Sequence, residues 1–324
     1  MKRILKAAIL PLIILVIIGI IHILPAKTIE ILPTDVPAAT PRGGAETRTP
    51  APSADQAELN GAFTVPAASA PGTAVRTSGK AVIDYSNAAD GYVMVKYQGE
   101  AGGALRTLID APNGVRYTYV LQPGDYAVYP LTEGDGEYTI GVYEQTEGSK
   151  YKLVVKAAAD VSLSDPFQPF LRPSQYVNYS RESAVAGKAA ELMADKKGLT
   201  DKIAAVYNFV IGNLTYDKVL ARTVQSGYVP DVDAVLERKE GICFDYAAVM
   251  TAMLRSSLVP AKLVVGFTGD EYHAWINVYS EETGWINQVI FFDGQSWTLM
   301  DPTFASGRPG YTPVTANYEA KYQY

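Results

Sequence analysis

The chain has 324 residues, 48% of them hydrophobic, with a net charge of −6 and an isoelectric point near 5.1. That length suits roughly two domains beside non-globular segments, and the acidic balance, with no Lys/Arg cluster beyond the extreme N-terminus, excludes the basic face of a nucleic-acid binder. A single cysteine, Cys243, excludes an internal disulfide, and the two histidines are His22 and His273.

Residues 7–26, AAILPLIILVIIGIIHILPA, carry no formal charge. As a helix they would cross a hydrocarbon core of about 30 Å. Lys2, Arg3 and Lys6 precede the run, so the positive-inside bias sets the N-terminus in the cytoplasm. Residues 1–27 are therefore expected to form a membrane anchor, single-pass, with the rest of the chain extracytoplasmic. A cleaved signal peptide is the competing reading, and it exports the remainder equally. His22 lies inside this run, so imidazole chemistry beyond the membrane must use His273.

Residues 28–78 follow, rich in Pro, Ala, Thr, Ser and Gly from 33 onward and without helical or strand period. Such a composition buries too little surface to offset ordering entropy. It predicts a disordered tether, spanning roughly 35–40 Å as a coil.

Residues 79–158 predict a small all-β sandwich domain. VMVKY (93–97), VRYTYVL (115–121), YAVYP (126–130), YTIGVYE (138–144) and YKLVVKA (151–157) are β-branched and aromatic. Turn signals at Pro112-Asn113-Gly114, Pro123-Gly124-Asp125 and Gly134-Asp135-Gly136 separate them. The many tyrosines suit half-buried strand positions, and a sugar-binding platform is the functional alternative.

The last unit, 159–324, opens on a connector with Pro166, Pro169 and Pro173. Helical signals follow. A first helix is expected near 181–196, stopped at Gly198. A second carries Ile203, Val206, Tyr207, Val210, Ile211 and Leu214 on one stripe of period 3.6, with Thr200 as its N-cap. A short third is expected over 231–238.

GICFDYAAVMTAMLRSS (241–257) then sets strong helix formers behind a glycine, with Pro260 just past the end. Cys243 falls at the helix start, where free N–H groups and the dipole favour an anion. The thiolate is the nucleophilic form, and the same N–H groups can receive an oxyanion. The plainer reading of a lone cysteine is a small buried hydrophobe. Asp245, in the first turn, opposes an anion there and is given a helix-terminal role. KLVVGFT (262–268) reads as a buried strand. After a turn at Gly269-Asp270, HAWINVY (273–279) alternates as a second strand and places His273 at its start, at a sheet edge or mouth. A surface or capping histidine is the plainer alternative. WTLMDPTF (297–304) reads as a strand closed by Asp301-Pro302. Asp301 there is a turn aspartate or a carboxylate that orients an imidazole.

DAVLERKEGICFDYAAVMTAMLRSSLVPAKLVVGF, HAWINVY and MDPTF together resemble the core of the transglutaminase-like superfamily, papain-like cysteine enzymes. The likeness is strict over 231–304 and looser over 180–304. It implies an α+β fold, in which the helix bearing the nucleophile packs on an antiparallel sheet, here preceded by the all-β sandwich and the transmembrane helix. It also implies a triad of Cys243 as nucleophile, His273 as base and Asp301 as orienting group. NQVIFFDGQS (287–296) lengthens the usual connection between His273 and Asp301, which leaves Asp293 as a rival for the last role.

The activity so implied is acyl transfer from a peptide or carboxamide through a Cys243 thioester. Water as acceptor makes a peptidase or amidase; an amine makes a transamidase. Expected partners are a peptide or protein substrate, of the cell wall or cell surface, and the membrane, with no nucleic acid. The alternative is a non-catalytic surface scaffold or binding module that keeps the fold. With one cysteine and one histidine outside the apolar run, a tetrahedral zinc site would need mainly carboxylates, and no Gly-rich phosphate loop occurs; no metal and no cofactor are expected.

Overall fold

The structure, a computed structural model, describes residues 28–30, 67–268, 271–281, 284–287, 290–292, 297–299 and 318–324. The apolar run at 7–26 lies outside these residues, and among them no helix is long and apolar enough to cross a membrane.

Nine strands build the N-terminal part: β1 (Thr28–Glu30), β2 (Val75–Thr77), β3 (Ala81–Asp84), β4 (Tyr92–Tyr97), β5 (Leu105–Asp110), β6 (Arg116–Leu121), β7 (Ala127–Pro130), β8 (Gly136–Glu147) and β9 (Lys150–Val161). They form two antiparallel sheets, ordered β1-β9-β8-β5-β6 and β2-β3-β4-β7. The pattern along β9 shows why they associate. Val155, Ala157, Ala159 and Val161 are buried while Lys156, Ala158 and Asp160 are exposed. That period of two gives a sheet one apolar face, which must be covered. Two expectations change here. Inside the segment read as a tether, Thr28–Glu30 pairs with β9 and Val75–Thr77 pairs with β3. β3 and β5 also join strands that composition did not single out.

The remaining elements are α1 (Ala184–Met193), α2 (Leu199–Asn213), β10 (Thr215–Tyr216), α3 (Lys218–Thr223), α4 (Val232–Arg238), β11 (Glu240–Gly241), α5 (Cys243–Ser256), β12 (Ala261–Thr268), β13 (Glu271–Ser280), β14 (Gly284–Ile286), β15 (Ile290–Phe292), β16 (Trp297–Leu299) and β17 (Tyr318–Gln323). α1 is shorter than expected and starts from Ser183. α2 starts from Gly198, so Thr200 lies inside the helix and is not its cap. Of the predicted stripe, Ile203, Val206, Tyr207, Val210 and Leu214 (the C-cap) are buried, and Ile211 is half-buried.

α5 is the axis of this part. Every residue from Phe244 to Ser256 is buried, as in a helix surrounded by protein on all sides. It packs against α1, α2 and α4 on one side and β12 and β13 on the other. Ala247, Ala248 and Ala252 carry little bulk along it and are wholly buried or nearly so. The sheet it rests on runs β14-β13-β12-β17, all antiparallel. Cutting a buried leucine such as Leu254 to alanine would cost about 2–5 kcal/mol.

Arg255 pins the C-terminal end of α5. Its side chain is wholly buried and donates to three carbonyls: Ala261 O at 2.9 Å, Arg172 O at 2.9 Å and Tyr324 O at 2.6 Å. Burial pushes the guanidinium down to about 10, so it stays charged at neutral pH. One side chain thereby ties the helix to β12, to the connector and to the end of β17.

The two parts share one core. Tyr117 and Tyr119 of β6 meet Tyr322 and Tyr324, with ring centroids 5.4 Å apart for Tyr117–Tyr322 and 5.9 Å for Tyr119–Tyr324. Tyr176 of the connector stacks on Tyr119 at 5.6 Å and meets Tyr324 edge-on at 4.8 Å. Gln323 donates its backbone N–H to Tyr117 Oη and its amide to Thr132 O. Tyr117 and Tyr119 of the β part are thus packing residues against β17 and the residue after it, and burial raises Tyr119, and Tyr176 of the connector, above the ordinary phenol range.

Candidate active site

The approach to α5 is built to make a sharp entry. β11 pairs in parallel with β10, matching Thr215 to Glu240 and Tyr216 to Gly241. Ile242 then takes an extended backbone, and the helix starts at Cys243. Gly241 is required sterically: a Cβ there would lie 2.6 Å from Asp245 Cβ. Asp245 turns back to accept from the Ile242 backbone N–H at 2.9 Å. This is the N3 carboxylate of a capping box. Its other oxygen accepts from Tyr228 Oη at 2.6 Å. Arg238, at the end of α4, stands 3.5 Å away and also reaches Tyr228 Oη at 3.3 Å. Burial raises the Asp245 carboxyl; the bonds from Tyr228 and Ile242 and the charge of Arg238 work against that rise.

Cys243 is free and partly exposed, unlike the buried residues that follow it. Its place along the sheet follows from the helix. Arg255 fixes the C-terminal end of α5 at Ala261, the first residue of β12. Fourteen residues of helix run about 21 Å, and eight of strand about 27 Å. The N-terminus of α5 therefore faces the end where β12 turns into β13. His273 is at that end, opposite Gly266 of β12, and is 6% exposed. On its other flank β13 pairs with β14 over Val278–Ser280.

Alternation then separates neighbours on β13. Ala274, Ile276 and Val278 belong to the core that includes α5, with Leu263 and Val265 beside them. Tyr272 shares that face by parity. His273, Trp275, Asn277 and Tyr279 share the other, where Phe167 lies 4.2 Å from Tyr279 and Lys262 points over the rings of Phe170 and Trp285 at 4.5 and 4.1 Å. Tyr272 leaves 43% of its surface open. Burial first, then Tyr322 and Cys243, raises its phenol; Cys243 is thus one of the groups acting on Tyr272. The structure brings Cys243, Tyr272 and the start of His273's strand to one end of the sheet. Asp301 and its rival Asp293 lie outside the described residues.

Three contributors escaped the sequence reading. Tyr228 sits in a Ser-Gly-Tyr-Val-Pro loop that reads only as a turn. Arg238 reads as a helix-terminal charge, and Tyr272 as a strand tyrosine among many. No spacing rule links residues 228, 238 and 245; only the fold does.

Residues 186–302 match the family model described as the transglutaminase-like superfamily. Over 180 residues, 49% of this chain, the sequence is 27% identical to an uncharacterized protein, YebA, of Bacillus subtilis, and covers 24% of it. Over 69 residues, 17% of this chain, it is 29% identical to a protein-glutamine gamma-glutamyltransferase of Pseudomonas aeruginosa, and covers 10% of that protein. The chain thus spans a quarter or less of these curated relatives. A solved structure of a proposed cysteine protease from Cytophaga hutchinsonii aligns with 62% of this chain and 72% of its own, at 17% identity and a TM-score of 0.35, too low to carry an argument.

Proposed function

Residues 186–302 belong to the transglutaminase-like superfamily, and from that premise we propose that the chain is a cysteine enzyme of acyl transfer. Cys243 attacks a carboxamide or peptide carbonyl, His273 takes the thiol proton and returns it to the leaving amine, and Asp301 orients the imidazole. The N–H groups of the first turn of α5 receive the oxyanion. Water then releases an acid, or an amine is joined in its place. The observation that carries this reading is the position of the one cysteine: partly exposed, first in an otherwise buried helix, at the end of the sheet where His273's strand begins.

The extracytoplasmic setting belongs to the same proposal. It rests on the uncharged run 7–26 behind Lys2, Arg3 and Lys6, and it would offer cell-wall peptides or surface proteins as substrates.

The test is mass spectrometry of glutamine-containing peptides incubated with the protein and a primary amine. Cleavage, deamidation or amine incorporation is expected, lost in Cys243→Ala and reduced at least about 100-fold in His273→Ala. No product from any peptide, with Cys243 no more reactive than free cysteine, would overturn the reading.

A second reading has one specific observation behind it. On β13 it is Tyr272, by parity, that shares the face of the α5 core. A non-catalytic binding module would tolerate that arrangement. In that case Cys243→Ala would leave partner binding and the folded state intact.

A further inference from the structure

We infer that Arg238 and Asp245 act together as positioning residues that hold the charge at the first turn of α5 neutral beside Cys243. The inference rests on the cysteine-enzyme reading for its purpose, though its geometry is independent of it.

Asp245 is two residues from Cys243 on the same first turn, and its side chain is wholly buried. A buried carboxylate there does two opposed things. It caps the helix through the Ile242 N–H, which fixes the backbone that presents the sulfur. It also sets a negative charge beside a group that must become negative to react. An uncompensated charge would cancel much of what the helix end supplies. Arg238 resolves the conflict. It reaches the carboxylate at 3.5 Å from α4, and its own position is fixed by a bond from Nε to Glu240 O at 2.7 Å. Tyr228 Oη bridges the two, donating to Asp245 at 2.6 Å and accepting from Arg238 at 3.3 Å.

Among the described residues, the charged groups acting on Asp245 are Arg238 and Asp217. Asp217, the N-cap of α3, acts on Asp245 with the same sign as its own charge. Cys243 is among the groups that raise the Tyr272 phenol of β13, after burial and Tyr322. Arg238 is therefore the cation that balances the turn among the groups acting on Asp245. With 35% of its side chain exposed, its effect must weaken in salt.

The two residues predict opposite signs, which a merely structural role does not. The measurement is the rate of iodoacetamide alkylation of Cys243 in the full chain at pH 7, with melting temperature recorded for each variant. Arg238→Gln should alkylate about tenfold more slowly, the size expected when a carboxylate beside a thiolate loses its cation. Arg238→Lys should restore most of the rate. Asp245→Asn should alkylate at least as fast as the natural protein, and Arg238→Gln with Asp245→Asn should recover the loss. High salt should narrow the differences. Slower alkylation in both single variants, or an unchanged rate in folded Arg238→Gln, would overturn the inference. Should Arg238→Gln fail to fold, Asp245→Asn decides alone: a faster or equal rate supports it and a slower rate overturns it. Turnover of a glutamine peptide by the natural protein is measured in parallel. Its absence would count against the enzyme reading and leave the alkylation signs interpretable.

Discussion

The two ends of α5 are held by opposite strategies. At the C-terminal end Arg255 is sealed in, has no carboxylate among its three hydrogen-bond partners, and spends its donors on backbone carbonyls of the strand, the connector and β17. At the N-terminal end Asp245 is equally buried, but beside the Ile242 backbone N–H its partners are two side chains, Tyr228 and the partly exposed Arg238. The first end is a staple and the second a tuned terminus. The difference teaches where rigidity is anchored: a helix fixed at one end by carbonyls can carry a charged side-chain network at the other.

Breaking the staple should have the largest effect. Arg255→Met removes a buried charge and leaves three carbonyls short of a donor, an expected loss of roughly 3–5 kcal/mol in denaturant unfolding. Cys243 in the folded fraction should alkylate at its normal rate. A small loss would mean that water replaces the guanidinium.

Next comes the seam between β12 and β17. A Cβ on Gly266 would lie 1.9 Å from Glu319 O and 2.9 Å from Trp275 Cη2, where the β12–β17 register shifts between Val265 and Gly266. Gly266→Ala must push backbone, not a flexible side chain, and should cost about 1–3 kcal/mol. Because Gly266 pairs with His273, turnover should fall further than stability alone explains. Equal losses would make the glycine purely structural.

The tuned end should show itself as a slope. The Asp245 carboxyl is raised in the folded protein, so its ionised form is less favourable there than in the unfolded chain. Its charge costs stability at neutral pH, and the cost is relieved as pH falls through the raised folded value toward the unfolded one. Replacing it with asparagine should remove that dependence. Unfolding curves from pH 7 to 4 should therefore show the natural protein gaining on Asp245→Asn as pH falls; a gap that widens against the natural protein instead would reverse the sign.

The smallest effect concerns Lys239, which ends α4 beside Arg238 with φ +55°. Lys239→Gly relieves a left-handed lysine and should stabilise by at most about 1 kcal/mol, by melting temperature, leaving alkylation unchanged.

Much of this molecule is legible along the chain, for reasons specific to each element. The stripe of α2 shows because a half-buried helix must repeat every 3.6 residues, and Cys243 at a helix start shows because Gly241 and the alanines after Asp245 leave little choice. β5 is not legible because LRTLID mixes charge into a buried strand and follows a Gly-Ala stretch that reads as a loop. Val75–Thr77 is not legible because three exposed residues in a Pro/Ala-rich run carry no period; only their partner β3 makes them a strand. Asp245 was assigned to the helix terminus correctly from its position, yet its link to Tyr228 and Arg238 required the fold.

β17 has a consequence for how the chain matures. It completes the sheet by pairing with a strand some fifty residues earlier, and Tyr322 and Tyr324 lodge against tyrosines of β6 about two hundred residues back. Contacts of such long sequence separation form late, since closing large loops precedes any reward. During synthesis α5 is therefore made well before the strand that completes the sheet it packs on, so the floor of that helix closes only when the last-made strand arrives.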